Sequence, residues 1–405
     1  MVNRVAPRHL VAASWRDAAR PPDRPVTVPA LRVGMVGTYP PTECGIATFT
    51  RNLRAAIGEQ RPEWQLPVVR LLEDEDTPAL AEVAASWVRG RPRTLEGARR
   101  TLAECDVAIV QHEFGIFDGP DGDAVINLVD DLRTPLVVVF HTILTTPSRR
   151  QRRIMTALLR RAALAVTPSS SALERLRATY WAPRSTLVPH GASDNFAASP
   201  GERRTGDTVL TWGLLGPGKG LESAIEAVSR LGDLRPPVTY VIAGHTHPHV
   251  RARGDDYRQS LVDVAARLGV ADRVRFDDQY RDRASLNALI RSADVVLLPY
   301  ESRDQVCSGV LVEALASARP VVATRFPHAV ELLSDGAGIL VPHGDVDAMS
   351  RALRRVLRTP GVAGSLSSAA REVGETLVWP RVGEQFARHL AAVAATARPA
   401  EGGRR

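Results

Sequence analysis

The chain has 405 residues, of which 44% are hydrophobic and 24% are charged, a composition that predicts a globular protein with two domains. Its net charge of +7 lies mostly at the ends, because residues 1–30 carry +3 and residues 398–405 carry +2. This distribution argues against nucleic-acid binding, and no run approaches the roughly 20 apolar residues of a membrane span. The three scattered cysteines, Cys44, Cys105 and Cys307, favour a reducing, cytoplasmic setting over a disulfide framework.

Along the chain, short apolar runs alternate with amphipathic stretches, as in domains built on parallel sheets. Residues 1–30 end in prolines and lack a signal-peptide core, so we expect a disordered basic arm there. Near-continuous apolar runs predict buried strands. In the first half these are 31–37, 106–113, 135–142, 163–169 and 185–191, and in the second half 208–213, 238–244, 293–300 and 320–324.

The domain prediction follows from these runs and from one polar break. A Gly/Ser/Pro-bearing segment predicts a linker over 196–207, which separates Rossmann-like α/β domains over 31–195 and 208–378. Residues 379–397 predict a long helix that crosses back to the first domain, and 398–405 a disordered tail.

Ligands of open parallel sheets bind beyond the carboxyl ends of the strands, so the residues at those ends are site candidates. In the first half they include three histidines and a glutamate, and in the second half the loop after Tyr300 that holds Asp304. The first-half candidates are His112, Glu113, His141 and His190. If the two crevices face each other, these residues line a single cleft.

The stretch "GLLGPGKGLESAIEA" matches the opening of a phosphate-binding P-loop, with Gly213, Gly218 and Lys219 in register. Lys219 is the single lysine of a chain that otherwise uses arginine for its cations. Gly220 cannot supply the hydroxyl that such loops place on Mg²⁺, and Pro217 lacks an N–H for the cradle. The pattern therefore predicts phosphate contact at a strand-to-helix turn without metal-assisted nucleotide hydrolysis.

A second phosphate-binding device is predicted in "DQVCSGVLVEALASARPVVAT". Ser308 is a good N-cap for a helix through Ala316, and the free N–H groups around Gly309 and Val310 would point at an anion. Glu313 stands among apolar residues and needs a partner. A ribose diol would supply two donors, and an arginine in the core is the structural alternative.

The segment "PSRRQRRIMTALLRR" predicts a basic amphipathic helix. Its exposed cations are expected to be Arg149, Arg150, Arg152 and Arg153. A solvated helix face explains this pattern, and weak peripheral docking to anionic lipid headgroups or an acidic acceptor is the alternative.

The two phosphate-binding segments, in this order and spacing, resemble glycosyltransferase family 4, the retaining enzymes with two facing Rossmann-like domains (the GT-B fold). The resemblance covers roughly residues 31–395, and "TYPPTECGIATFT", "QHEFGIF", "FHT" and "PHG" resemble a mannosyltransferase-like branch. It implies that Lys219 holds the donor diphosphate and that Glu313 binds the nucleotide ribose. It further places the glycine-bearing donor loop of the first domain at Gly45 and a histidine near the transferred sugar at His141.

Two positions depart from the family pattern. Gln305 stands where the family has the first glutamate of its E-x7-E signature, which touches the donor sugar, and Leu214 stands where it has a diphosphate-binding arginine. Gln305 can hydrogen-bond sugar hydroxyls but offers no negative charge.

The resemblance implies transfer of a mannose- or glucose-type hexose from a nucleoside-diphosphate sugar to a glycan, lipid-linked or small-molecule hydroxyl. The nucleotide sugar is then a substrate and not a cofactor, and no metal is expected. The competing hypotheses are a nucleotide-sugar epimerase, a non-catalytic nucleotide-sugar-binding protein and, least compatible with Gly220, a metal-dependent nucleotidase.

Overall fold

A computed structural model describes residues 29–75, 78, 80–196, 206–247, 250 and 256–397. The chain divides into two compact units, residues 1–30 and 31–405, and only the last two residues of the first unit are described. The predicted N-terminal arm, the C-terminal tail and most of the predicted linker lie outside the described residues.

The first sheet has seven parallel strands in the order β3-β2-β1-β4-β5-β6-β7. The strands are β1 Val33–Thr38, β2 Val68–Leu72, β3 Val83–Val88, β4 Val107–His112, β5 Leu136–Phe140, β6 Ala162–Thr167 and β7 Ser185–Leu187. The inner strands are buried on both faces, which is why their sequences are continuous in apolar residues.

The second sheet has six parallel strands in the order β10-β9-β8-β11-β12-β13. They are β8 Asp207–Trp212, β9 Val238–Ala243, β10 Val274–Asp277, β11 Val295–Leu298, β12 Val321–Thr324 and β13 Gly338–Val341. Each sheet doubles back beside its first strand, so a crevice opens at the switch point between β1 and β4 and between β8 and β11.

Helices connect the strands and cover both sheets. In chain order the described helices are α1 Gly45–Gln60, α2 Pro92–Ala103, α3 Ala124–Asp130, α4 Arg149–Arg161, α5 Ser170–Thr179, α6 Leu221–Ser229, α7 Tyr257–Arg267, α8 Arg283–Arg291, α9 Gly309–Leu315, α10 Pro327–Leu333, α11 Val346–Arg358, α12 Val362–Gly374 and α13 Trp379–Ala397. Two separate apolar cores lie under these helices, one on each sheet.

The last helix, α13, packs against α1 of the first half, as predicted. A Cβ atom on Gly383 would lie 2.6 Å from the carbonyl oxygen of Ala56, so the two backbones touch. The chain enters this helix beside the first half, because Ala192 N–H donates to Leu377 (2.8 Å) and Trp379 N–H donates to Ala192 (2.9 Å). The predicted pair of doubly wound α/β domains with a crossover helix is therefore confirmed.

Four strands were not predicted, namely β2, β3, β10 and β13. β3, β10 and β13 lie at sheet edges and are only partly buried, and β2 contains Arg70. The strand predicted over 185–191 ends at Leu187, so His190 lies in the segment that follows it. In the described part of the chain, no helix is long and apolar enough to cross a membrane.

Candidate functional site

A cavity of about 800 Å³ opens between the carboxyl ends of the two sheets. Its volume is in the range of sites that hold a drug-sized ligand, roughly 300–1,000 Å³. Both halves of the chain line it, together with Trp379 at the start of α13.

Most of the side chains predicted for the site lie on this cavity wall. The predicted residues that line it are Gly45, Glu113, His141, His190, Gly213, Lys219, Gln305, Gly309, Val310 and Glu313, and Leu214, the departure from the family pattern, lines it too. Within the described ranges, the predicted residues His112, Gly218, Ser308 and Asp304 are not part of the lining, and neither are the four arginines of α4.

The P-loop-like turn joins β8 to α6, and its glycines explain why it departs from a nucleotidase loop. Gly220 has φ +67°, and a Cβ atom there would lie 2.0 Å from the carbonyl oxygen of Pro299. A serine or threonine at this position, which a nucleotidase loop needs, would therefore collide with Pro299, the residue that follows β11. The turn is fixed there by a hydrogen bond from Glu301 N–H to the Gly218 carbonyl (3.0 Å).

Lys219 leaves this turn and lies on the cavity wall. Its ammonium nitrogen is 4.5 Å from the ring centroid of Tyr300, a cation–π distance. No carboxylate of the described residues pairs with it within 4 Å. The ammonium group is therefore positioned by an aromatic ring while its charge stays available to an anion.

Helix α9 begins at the N-cap predicted from the sequence. The Ser308 hydroxyl accepts a hydrogen bond from Leu311 N–H (3.3 Å), and Ser308 N–H donates to Nδ1 of the buried His328 (2.9 Å). Gly309 faces the first half, because a Cβ atom there would lie 3.0 Å from the His190 ring. The glycine lets the start of α9 approach the segment that follows β7 in the first half.

Glu313 projects from α9 onto the cavity wall. Trp212 Nε1 donates to its carboxylate at 3.4 Å. Burial raises the pKa of Glu313 to about 7, although the Trp212 hydrogen bond and the charge of Arg283 act in the opposite direction. A ligand that donates hydrogen bonds to this carboxylate would favour its charged form.

His141 lies at the end of β5 and is held in a neutral form. Its Nε2 donates to the Gln111 amide oxygen (2.8 Å), which can only accept, so Nδ1 is left without a proton. Burial, together with the neighbouring His190 and His112, lowers the pKa of His141 to about 3. His190 is likewise neutral, because burial lowers its pKa to about 4.

His112 points away from the cavity. Its ring lies among Phe114, Phe117 and Phe140, with centroid distances of 4.9, 6.4 and 5.4 Å. Neither ring nitrogen has a hydrogen-bond partner among the described residues, and burial lowers the pKa of His112 to about 3. The next residue, Glu113, faces the opposite direction and lines the cavity.

The loop after β11 is attached to the first half. Arg175 donates to the carbonyl oxygens of Ile143 (2.8 Å) and Asp304 (2.9 Å), and the Thr145 hydroxyl donates to the Asp304 carboxylate (2.9 Å). Asp304 is thus part of the contact between the halves. Gln305 follows it on the cavity wall, with Nε2 donating to the Cys307 carbonyl (2.7 Å) and its amide oxygen facing no protein donor within the described ranges.

The sequence did not predict three arginines that line the cavity, Arg51, Arg281 and Arg283. Arg281 pairs with Asp277, whereas Arg283 has no ion pair among the described residues. Both follow β10, and the rule that strand ends bind ligands would have found them if that strand had been predicted. Arg281 and Arg283 bring cations to the cavity, whereas the turn after β8 has Leu214 in place of the family's arginine.

Comparison with known families identifies the second half of the chain. Residues 206–359 match the family described as Glycosyl transferases group 1. This region contains the P-loop-like turn and α9.

Two curated relatives are similar over part of the chain. One is a phosphatidyl-myo-inositol mannosyltransferase of Mycobacterium leprae, 32% identical over 213 residues, which are 51% of this chain and 53% of the relative. The other is a D-inositol 3-phosphate glycosyltransferase of Salinispora arenicola, 36% identical over 130 residues, which are 32% of this chain and 28% of the relative. The matches thus span about half the length of these relatives, or less.

Solved structures are similar over nearly the whole fold. Anabaena Alr3699/HepE in complex with UDP and glucose has a TM-score of 0.73 at 17% identity, covering 89% of this chain and all of that one. Sucrose-phosphate synthase from Thermosynechococcus elongatus has a TM-score of 0.74 at 18% identity, covering 90% and 99%. These similarities establish the GT-B fold for this chain.

Proposed function

The chain carries a Glycosyl transferases group 1 domain, and on that premise we propose that it is a retaining hexosyltransferase that uses a nucleoside-diphosphate sugar. The proposal rests chiefly on one observation. Lys219, in the turn after β8, and Glu313, in helix α9, line the same cavity as His141 of the first half. That arrangement suits a ligand with a diphosphate, a ribose and a sugar.

The donor would bind mainly to the second half. Lys219 and Arg283 offer unpaired positive charge, and the N–H groups at Gly309 and Val310 offer donors for the diphosphate. The Glu313 carboxylate would accept the ribose hydroxyls, and the glycine-bearing turn at Gly45 would let the donor approach from the first half. Arg283 would supply the positive charge that the family's arginine provides and that Leu214 lacks.

Catalysis would come from fixed donors around the leaving group. Negative charge on the departing diphosphate grows in the transition state, and preorganised cations in a cavity stabilise the more highly charged transition state more than the ground state. His141, neutral and with its ring centroid 4.8 Å from that of Phe49, would contact the transferred sugar. Gln305 would hydrogen-bond a sugar hydroxyl through its free amide oxygen. The proposal requires no metal and no cofactor.

The donor sugar is proposed to be of the mannose or glucose type and the acceptor a hydroxyl of a glycan, a lipid-linked molecule or a small molecule. The names of the two relatives, which act on phosphatidyl-myo-inositol and on D-inositol 3-phosphate, support a polyol acceptor. An epimerase would act on the donor alone, and analysis of the products without acceptor distinguishes it. A non-catalytic nucleotide-sugar-binding protein, favoured by Gln305, would bind without turnover.

The test compares Lys219→Ala and Lys219→Arg with the wild type in a transfer assay over UDP-, GDP- and ADP-sugars. We expect Lys219→Ala to lose about 100- to 1,000-fold in kcat, the usual effect of deleting one transition-state donor. Lys219→Arg should lose about tenfold, since a wide planar fork replaces a point charge. Arg325→Ala, an exposed cation outside the cavity, should retain normal turnover and serves as the matched control.

Thermal melting of all variants checks that they fold, and a nucleotide that binds only the folded form raises the melting temperature. Near-normal turnover by Lys219→Ala with any donor would overturn the proposed function. Full activity of Lys219→Arg would remove the role of the ammonium shape but leave the role of its charge.

We further propose a cytoplasmic protein with weak peripheral contact to anionic membranes. Free thiols at all three cysteines are consistent with a reducing compartment. Exposed cations lie along α4, at Arg149, Arg150, Arg152 and Arg153. Near them Trp181 is 86% exposed, and Arg152 lies over the ring of the adjacent Tyr180 at 5.6 Å. A tryptophan beside cations suits a headgroup interface.

Cosedimentation with vesicles of anionic or neutral lipid tests this contact. We expect binding to anionic vesicles only, weakened by salt and by the double change Arg149→Gln and Arg153→Gln. Equal behaviour with both vesicle types would contradict it.

A further inference from the structure

One carboxylate on the cavity wall has a role that the proposed donor site does not explain. Glu113 follows β4 at the carboxyl edge of the first sheet. Its Oε1 accepts from Phe114 N–H (2.9 Å), and its Oε2 accepts from the Thr142 hydroxyl (2.5 Å). Each oxygen therefore has one fixed partner, and the carboxylate is held rigidly against the cavity.

No cation neutralises this carboxylate. Among the described residues it has no ion pair, although Arg51, Lys219, Arg281 and Arg283 line the same cavity. Burial raises the pKa of Glu113, with hydrogen bonds from Thr142 and Phe114 acting in the opposite direction and no cation among the causes. A half-buried acid without a counter-charge is costly, so a ligand that supplies hydrogen-bond donors is the natural partner.

The hydrogen-bond directions define what that ligand must offer. A carboxylate only accepts, and the Thr142 hydroxyl has used its single proton on Glu113, so its oxygen also only accepts. Thr142 lines the cavity as well. Glu113 and Thr142, the Glu113 corner of the cavity, thus present only hydrogen-bond acceptors to the ligand. Sugar or polyol hydroxyls can donate to them, whereas ionised phosphate oxygens cannot.

Charge reinforces this selection. Three of the four cations on the cavity wall belong to the second half, whereas the Glu113 corner belongs to the first. Like charges in a partly desolvated cavity repel each other strongly. A phosphate bound beside Glu113 would meet an uncompensated negative charge.

We propose that Glu113 and Thr142 form an acceptor subsite that selects an uncharged polyhydroxyl acceptor, with a hydroxyl of that acceptor donating to Glu113. This inference rests on the proposed function and names the class of its second substrate. It sets this chain apart from the two relatives, which are named for acceptors that carry a phosphate group. Glu113 is accordingly a specificity-determining residue that contacts the acceptor.

The test uses the full chain with its active donor and pairs of acceptors that differ by one phosphate, namely myo-inositol with myo-inositol 3-phosphate and mannose with mannose 6-phosphate. We expect wild-type kcat/KM to be at least tenfold higher for the neutral member of a pair. Equal or higher kcat/KM for the phosphorylated member overturns the proposal, and so does the absence of transfer to every neutral acceptor.

Glu113→Gln supplies the second arm, because it keeps the shape, removes the charge and adds an N–H donor. We expect kcat/KM for the neutral acceptor to fall at least tenfold, the neutral-to-phosphorylated ratio to fall at least tenfold, and the KM for the donor to stay within twofold. Glu82→Gln is the matched control, since Glu82 also accepts from a hydroxyl, that of Tyr39, but lies outside the cavity lining.

An unchanged acceptor ratio in Glu113→Gln overturns the subsite. Hydrolysis of the donor in the absence of acceptor separates the two levels of the proposal. If the donor is neither bound nor turned over, the transferase function itself fails, whereas normal donor turnover with no charge preference refutes only the acceptor subsite.

Discussion

Replacing Gly220 with alanine tests whether the P-loop-like turn departs from a nucleotidase loop for a steric reason. The new Cβ atom would lie 2.0 Å from the Pro299 carbonyl oxygen, far inside any normal contact, and neither atom belongs to a flexible side chain. The turn or the end of β11 must therefore move. Because Lys219 is the preceding residue, the movement reaches the cavity wall as well.

Gly269 separates the cost of the steric overlap from the cost of the backbone conformation. It has the same φ of +67° but no heavy atom within 4 Å of the position that a Cβ atom would take. A left-handed alanine costs about 1–2 kcal/mol, and the stiffer unfolded chain offsets about 0.5–1 kcal/mol of that. Gly269→Ala should therefore lose about 1 kcal/mol of unfolding free energy. Gly220→Ala adds the overlap, about 3 kcal/mol at the upper end of overpacking costs, for a total of about 4 kcal/mol.

Thermal melting of the wild type and both variants at one scan rate measures this difference. At about 2–4 °C per kcal/mol, Gly220→Ala should melt about 6–12 °C below Gly269→Ala. Gly220→Ser, which restores the P-loop consensus, should be destabilised similarly and gain no nucleotide hydrolysis. If the two alanine variants melted within about 2 °C of each other, the steric explanation would be refuted.

Two further predictions concern pH and the contact between the halves. His112 has a pKa of about 3 in the folded protein, below its usual 6.5, so the unfolded chain alone takes up a proton between these values and stability falls as pH drops below 6.5. The unfolding free energy of the wild type should therefore fall between pH 7.5 and pH 4.5, and His112→Leu should reduce that fall by about 2.5 kcal/mol. Urea titrations at the two pH values measure the difference, and an unchanged fall would contradict the prediction. Arg175→Met removes the guanidinium that hydrogen-bonds both Ile143 and Asp304, so the loop that carries Gln305 is less firmly placed. We expect kcat to fall about tenfold while the KM for the nucleotide sugar stays within threefold. A fall confined to stability, with kcat unchanged, would show that Arg175 does not position that loop.

The sequence predicted every inner strand except β2, because inner strands are buried on both faces and leave a continuous apolar run, which Arg70 interrupts in β2. It missed the edge strands β3, β10 and β13, which are only partly buried and so give a weaker signal, although it found the edge strand β7. The omission of β10 had a consequence for the site. The loop that follows it brings Arg281 and Arg283 to the cavity, and these cations were overlooked with the strand.

Local pattern by itself determined the two α/β domains, the strand-to-helix turn at Lys219 and the N-cap at Ser308, because all three depend on residues close together in the chain. Only the tertiary structure decided which residue at the end of β4 reaches the ligand. His112 and Glu113 are neighbours in sequence, yet His112 lies among aromatic rings while Glu113 lines the cavity. Successive side chains of a strand point to opposite faces, and which face becomes cavity depends on a second sheet more than 90 residues further along the chain.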